Sequence, residues 1–286
     1  MKTTLPKKFP LLPRKPDTDK SHYGHVFVLA GSRDFPGASV LASLAALRAG
    51  SGLVTLGTTK SLQYVMLRDM PEVMRIGLSE TPTGSISAQS LEEILKCVEE
   101  RGVTSVLIGP GLSRGPGTCN LVQKLVQNLQ LPVVLDADGL NSFKGKEQLL
   151  KNHKASLVLT PHKKEFERLF AKKLPDEMSQ KASLAKSLSK LYHVVLVLKG
   201  HQTLVVEGDR VYKNTTGNAG MASGGTGDVL GGVIAAFMAQ GLSPFDASMW
   251  GVYWHGKAGD SAVKKTGELG LTATDILYAL STVLLE

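Results

Sequence analysis

A chain of 286 residues carries 33 Lys and Arg against 25 Asp and Glu, a formal net charge of +8. With 42% apolar and 20% charged residues it can build a sizeable core, which excludes disordered, collagen-like and coiled-coil classes. Two cysteines, Cys97 and Cys119, exclude a disulfide framework and leave no Cys/His zinc spacing, which points to the reducing cytoplasm.

Residues 1–24 hold Lys2, Lys7, Lys8, Arg14, Lys15 and Lys20, interrupted by Pro6, Pro10, Pro13 and Pro16. No apolar stretch follows, so they read as a basic, proline-rich arm and not as a secretory signal. From residue 25 onward strand-like and helix-like runs alternate. Residues 26–30 (VFVLA) predict a strand, 36–50 a helix rich in small residues, and 53–56 (LVTL) a second strand. Helices at 91–101, 120–129, 163–170 and 180–191 then alternate with strands at 105–108 (SVLI), 133–135 (VVL), 156–159 (SLVL) and 194–198 (VVLVL). Strands apolar on both faces and separated by helices predict a doubly wound, mostly parallel sheet flanked by helices. After Leu198 the rhythm changes. Residues 203–206 and 210–212, joined at Gly208-Asp209, predict an antiparallel hairpin, and a glycine-rich loop then leads into mostly helix up to Glu286.

Residues 25–286 therefore read as one domain. The longest apolar run, 229–239, has about eleven residues against the ~20 of a membrane span, so no membrane association is expected. Lys and Arg are scattered, without a basic–aromatic stripe or a nucleic-acid motif. The positive balance points to a phosphorylated small ligand and not to nucleic acid.

In open α/β sheets, ligands bind beyond the carboxyl ends of the strands. Here those positions are filled by Gly31 to Ala38, Gly109-Pro110-Gly111, Asp136-Ala137-Asp138, Thr160-Pro161-His162 and Lys199-Gly200, all polar, glycine-rich or both. The richest segment is Asn218 to Asp228, whose Gly224-Gly225-Thr226-Gly227 stretch feeds an apolar helix beginning near Asp228. Such a loop aims several amides at one point, an anion hole. Asp228 reads either as an acidic residue favoured in a first turn or as a general base that the helix dipole keeps ionised. Asp136 and Asp138 are candidates for holding Mg²⁺ through water, and equally for an Asx-turn. Lys199 neutralises a phosphate or merely precedes Gly200. His162 opens a helix at the ligand edge, while His25 and His255 read as structural and Cys97 as buried.

The chain also carries AGS followed by Gly37-Ala38, then IGPGL, VLDADGLN, LTPH--EF-RL, LKG--T and N-GMAS-GTGDVLGGVIAA, in that order over nearly its whole length. In this it resembles the ADP- or ATP-dependent NAD(P)H-hydrate dehydratases of the ribokinase-like superfamily. The resemblance implies a ribokinase-like domain without the β-lid of the sugar kinases. It implies repair of NADH and NADPH damaged by water addition: phosphorylation of the ring hydroxyl of the S epimer, then elimination of phosphate. By motif position, Ala38, Gly111, His162 and Asp228 would contact the hydrated dinucleotide, with Asp228 as base. Lys199, Gly200, His201, Gln202, Thr203 and Gly227 would line the adenine-nucleotide site, and Gly224, Gly225, Thr226 and Gly227 the anion hole. Mg²⁺, ADP or ATP as donor, and a homo-oligomer, a tetramer, come with it. No epimerase domain is expected in the 24 residues of the arm, so a separate chain would supply that activity. Two departures stand out: Asn218-Ala219-Gly220-Met221 lacks the usual proline, and Lys163-Lys164 replaces the usual Pro-Gly. A vitamin-precursor hydroxymethyl kinase of the same superfamily is the alternative enzyme, and a nucleotide-sensing module the non-enzymatic one.

Overall fold

A computed structural model describes residues 5–6, 8–11, 13–65 and 70–284; Lys2, Lys7 and Glu286 lie outside the described residues. The elements run β1 (His25–Leu29), α1 (Pro36–Arg48), β2 (Leu53–Thr59), α2 (Lys60–Val65), β3 (Met74–Leu78), α3 (Leu91–Glu100) and β4 (Ser105–Ile108). They continue with α4 (Pro116–Asn128), β5 (Val133–Leu135), α5 (Asp138–Asn141), β6 (Leu157–Leu159), α6 (Lys163–Phe170), α7 (Met178–Tyr192) and β7 (Val195–Leu198). The chain ends with β8 (Leu204–Glu207), β9 (Arg210–Lys213), α8 (Thr226–Ala239), α9 (Pro244–Gly270) and α10 (Ala273–Val283).

Among the described residues these strands form one nine-stranded sheet in the order β3-β2-β1-β4-β5-β6-β7-β8-β9. All pairs from β3 to β7 are parallel, while β7–β8 and β8–β9 are antiparallel. The doubly wound sheet expected from the alternation of elements is present. The predicted hairpin is β8–β9, and it extends the same sheet instead of standing apart from it. Three of these elements escaped the sequence pattern: α2, β3 and the one-turn α5. Strand β3 (MRIGL) is an edge strand, half-buried for most of its length, and it carries Arg75 and Gly77 where an inner strand would be continuously apolar. Helix α4 starts at Pro116, earlier than the expected 120, because Pro at a first helical position costs no hydrogen bond.

Alternation within each strand divides the core. Val26 and Val28 point into one apolar layer with α1, α8, α9 and α10, whereas Phe27 and Leu29 point into the other with α3, α4, α6 and α7. Helix α8, buried at every position from Val229 to Ala239, is apolar all round because it lies between the sheet and its neighbouring helices. The arm joins this layer: the Phe9 ring lies 5.2 Å from Phe237, 5.1 Å from Trp250 and 5.7 Å from Trp254. No helix among the described residues is long and apolar enough to cross a membrane.

Candidate functional site

The strand order reverses between β1 and β4, because β2 and β3 lie on one side of β1 and β4 to β7 on the other. Loops leaving the carboxyl ends of β1 and β4 therefore diverge and open a crevice. The Gly31 amide donates to the Pro110 carbonyl at 2.8 Å, tying the two loops together. Gly111 sits at φ +63°, and a side chain there would meet Phe35 and, at 3.0 Å, the Ala38 methyl. Ala38 and Gly111, 73 positions apart in their numbering, are thus in one wall.

Asp138 finishes this wall from below. Its carboxylate accepts from the Ser113 amide at 3.0 Å, Arg114 Nε at 2.8 Å and Asn141 Nδ2 at 3.0 Å. Strand β5 ends at Leu135 and Ala137 turns the chain at φ 48°, ψ −117°, so Asp136 and Asp138 do not share a face. Sharing a face would require the strand to continue through both residues, and it stops at Leu135.

Asp136 points instead into an ionic cluster at the ends of β5, β6 and β7. Lys199 Nζ donates to Asp136 Oδ1 at 2.6 Å and lies 3.8 Å from Glu165 Oε2. Burial works against the Lys199 ammonium, yet Asp136 and Glu165 outweigh it and hold its pKa above the ordinary value. Lys199 is therefore engaged with carboxylates, a role neither of its sequence readings contained. His162 caps α6: its Nδ1 accepts from the Lys164 and Glu165 amides, and its own amide donates to Glu165 Oε2 at 2.9 Å. With Nδ1 an acceptor, the neutral ring carries its proton on Nε2, 3.3 Å from Glu165 Oε1. Both nitrogens are occupied, and burial lowers the His162 pKa against the pull of Glu165. What His162 presents to a ligand is its ring.

Helix α8 begins one turn away. Gly225 caps it at φ +87°, with no side-chain cap, and Leu41 of α1 fills the place a Cβ would take. Among the described residues no protein group accepts from the amides of Gly224, Gly225, Thr226, Gly227 or Asp228. Thr226 Oγ1 donates to the Met221 and Ser223 carbonyls, closing the loop and leaving the amides outward. Unsatisfied amides at a helix start are an anion site. Gly227 brings the helix against the cluster, since a Cβ on it would lie 3.2 Å from Lys199 Nζ.

Asp228 stands in this first turn, with no hydrogen-bond partner for its carboxylate among the described residues. Burial pushes its pKa up to about 7, Asp136 adds to the rise and Lys199 opposes it. The dipole reading expected an ionised carboxylate; desolvation beside a second carboxylate outweighs the dipole. His255 of α9 lies behind the loop. Burial lowers its pKa to about 4 against the nearby Thr226 carbonyl, and its Nε2 is buried without a partner.

The nucleotide-side residues divide. Lys199 and Gly227 meet at the cluster, while Gly200, His201 and Gln202 form the exposed β7–β8 turn, closed by Thr203 Oγ1 donating to the Gly200 carbonyl at 2.9 Å. Sequence reasoning passed over Glu165 and gave His255 no role at the loop. Glu165 had a signal, three residues after a helix-opening residue, where a capping-box acid belongs. His255 had none, since only packing of α9 brings it to the loop. No group of three or more His, Cys, Asp or Glu among the described residues is arranged to hold a metal ion. Two concavities elsewhere, one lined by Ser189 and His193 and one by Tyr212 and Phe245, carry no comparable convergence.

Comparison with known proteins identifies a family for the chain. Residues 26–282 match the family model described as NAD(P)H-hydrate dehydratase. A bifunctional NAD(P)H-hydrate repair enzyme Nnr of Moorella thermoacetica is 40% identical over 275 residues, 96% of this chain and 52% of that one. The enzyme of the same name from Escherichia coli is 35% identical over 274 residues, 96% and 50% of the two chains. The chain thus spans about half the length of the curated relatives it matches. The crystal structure of ADP/ATP-dependent NAD(P)H-hydrate dehydratase from Bacillus subtilis, co-crystallised with ATP/Mg²⁺ and soaked with CoA, superposes with a TM-score of 0.79 at 28% identity, covering 96% and 94%. A hydroxyethylthiazole kinase from Pyrococcus horikoshii, 16% identical with a TM-score of 0.60 over 92% and 89%, shares the fold. Sequence, sheet topology and the family match converge: the chain belongs to the NAD(P)H-hydrate dehydratase family.

Proposed function

We propose that this chain dehydrates the S epimer of hydrated NADH and NADPH, using ADP or ATP as phosphoryl donor. The observation that carries the reading is Asp228: a carboxylate with no hydrogen-bond partner among the described residues and a pKa pushed up to about 7 by burial, set among the amides that open α8. A base poised near the working pH is suited to take a hydroxyl proton.

In this reading Asp228 takes the proton of the ring hydroxyl while the hydroxyl oxygen attacks the terminal phosphorus of the nucleotide, whose bond to the bridging oxygen breaks and releases the nucleotide shortened by one phosphate. The amides of Gly224, Gly225, Thr226 and Gly227 hold the charge that develops. Phosphate is a far better leaving group than hydroxide, so the carbon–oxygen bond then breaks and loss of a ring proton restores the double bond. Ala38, Gly111 and the ring of His162 line the dinucleotide side; Lys199, Gly200, His201, Gln202, Thr203 and Gly227 line the nucleotide side. Lys199 acts there by holding Asp136 and Glu165 beside Asp228. Mg²⁺ would be held mainly by the phosphates of the nucleotide with at most one or two carboxylates, Asp136 and Asp138 being the candidates, and would neutralise the polyphosphate charge. Epimer interconversion is assigned in this proposal to a separate chain acting on the same substrate. Cytoplasmic residence and a homotetramer complete the proposal, and sedimentation of the purified chain tests the second.

The test is recovery of dihydronicotinamide absorbance from hydrated NADH with Mg²⁺ and ADP, ATP or no nucleotide. Recovery that depends on a nucleotide is expected and names the donor. A folded, nucleotide-binding sample that recovers nothing with either donor overturns the reading in favour of a vitamin-precursor kinase.

A further inference from the structure

Phe35 is a large apolar side chain left 55% exposed at the edge of the crevice. Isolated exposed apolar residues are ordinary, but the backbone around this one is held on three sides. The Gly31 amide is tied to Pro110, the Arg33 amide donates to the Gly84 carbonyl at 2.9 Å, and the Phe35 amide to the Ser32 carbonyl at 3.0 Å. Gly111 has no side chain where the carbonyl and Cβ of Phe35 stand, 2.7 and 2.8 Å from the place a Cβ would occupy. The loop is fixed while the ring faces solvent, an arrangement that presents a π-face without an ordering cost on binding.

Its height above the reacting centre selects what it meets. Leu41 of α1 packs on Gly225, three residues before Asp228. Helix α1 starts at Pro36, five residues and about 7.5 Å of helical rise before Leu41, and Phe35 stands at its cap beyond that point. A substrate ring reacting at Asp228 lies below it. The hydrated nicotinamide ring is also puckered, without an aromatic face, whereas the far half of the dinucleotide carries a planar purine. We propose that Phe35 is the stacking platform for the adenine of the hydrated dinucleotide, an inference that rests on the dehydratase reading of the same site.

The experiment compares wild type, Phe35→Ala and Phe35→Trp on hydrated NADH and on hydrated reduced nicotinamide mononucleotide, which lacks the adenine. Loss of one stacked base predicts that Phe35→Ala raises KM for the dinucleotide roughly 5- to 100-fold, with kcat kept. KM for the mononucleotide and for the phosphoryl donor stays unchanged, and Phe35→Trp restores the dinucleotide value. An equal rise for both substrates overturns the adenine assignment in favour of the nicotinamide half, and a rise in donor KM moves Phe35 to the nucleotide site. No change in any KM removes Phe35 from binding altogether. A direct titration of NADH, with and without the Phe35→Ala change, reads the same contact without turnover. Weakened NADH binding in a protein that never turns over hydrated NADH would sink the dehydratase reading and leave the platform standing.

Discussion

Helices α6 and α8 both open at the carboxyl edge of the sheet, and their first turns are finished in opposite ways. At α6, His162 and Glu165 form a reciprocal capping box that satisfies the Lys164, Glu165 and His162 amides. At α8, Gly225 has no side chain to cap with, and the amides around it find no protein acceptor among the described residues. With glycine at the cap position the missing side-chain cap costs only about a few tenths of a kcal/mol, so the open start is kept at little expense in stability. The closed start fixes a histidine ring and an acid in place. The open one keeps its donors for an anion and exposes a carboxylate beside them.

The largest effect should come from the open start. Asp228→Asn is expected to lower kcat by roughly 10²–10⁴-fold while nucleotide binding is kept, as read by steady-state kinetics and calorimetry. Near wild-type turnover in this variant would remove Asp228 from the chemistry. Next comes the cluster between the two helices. Lys199→Met leaves Asp136 buried without its cation and is expected to cost roughly 3–5 kcal/mol in urea unfolding. Lys199→Met with Asp136→Leu should cost less than Lys199→Met alone; a larger loss in the double variant would show that the ion pair does not carry the effect.

The pH response sharpens the comparison further. Activity should rise with pH through about 7 as Asp228 ionises, and Asp136→Asn should move that limb to lower pH by removing a negative neighbour. Stability carries the opposite sign. Asp228 binds its proton in the fold up to about 7 and at an ordinary 3.8 otherwise, so its contribution is present below about 4 and lost as pH rises through 7. His255 runs the other way: held neutral down to about 4 from an ordinary 6.5, it contributes above 6.5 and its contribution is lost as pH falls through 4. The two slopes oppose each other over the interval they share. Asp228→Asn should therefore be more stable than wild type at pH 8, by at most about 4 kcal/mol, with the difference vanishing near pH 4. Melting curves across this range check it, and a constant difference would refute the linkage.

The smallest effect belongs to the closed start. His162→Ala should cost about 1 kcal/mol of stability through the lost cap. Denaturant midpoints decide this, and the variant's KM for the dinucleotide separates the ring's contact with substrate from its structural part.

Much of this architecture was legible before any coordinates. Continuous apolar runs such as VVLVL mark inner strands buried on both faces, although β7 itself is parallel to β6 and antiparallel to β8, and the helix-like runs between such strands point to a doubly wound sheet. The edge strand β3 was illegible for the converse reason: a half-exposed strand with Arg75 and Gly77 satisfies no periodic pattern. At the site, glycines crowded before an apolar helix announced an anion hole, because backbone geometry is written locally in residue types. What only the tertiary structure decided is which charges meet. Lys199 finds Asp136 and Glu165, Phe35 stands over Gly111, and burial, reinforced by Asp136, lifts Asp228 away from the ionised state the helix dipole alone would favour. Those outcomes depend on distance and desolvation between residues far apart in the chain, and neither quantity is carried by local sequence.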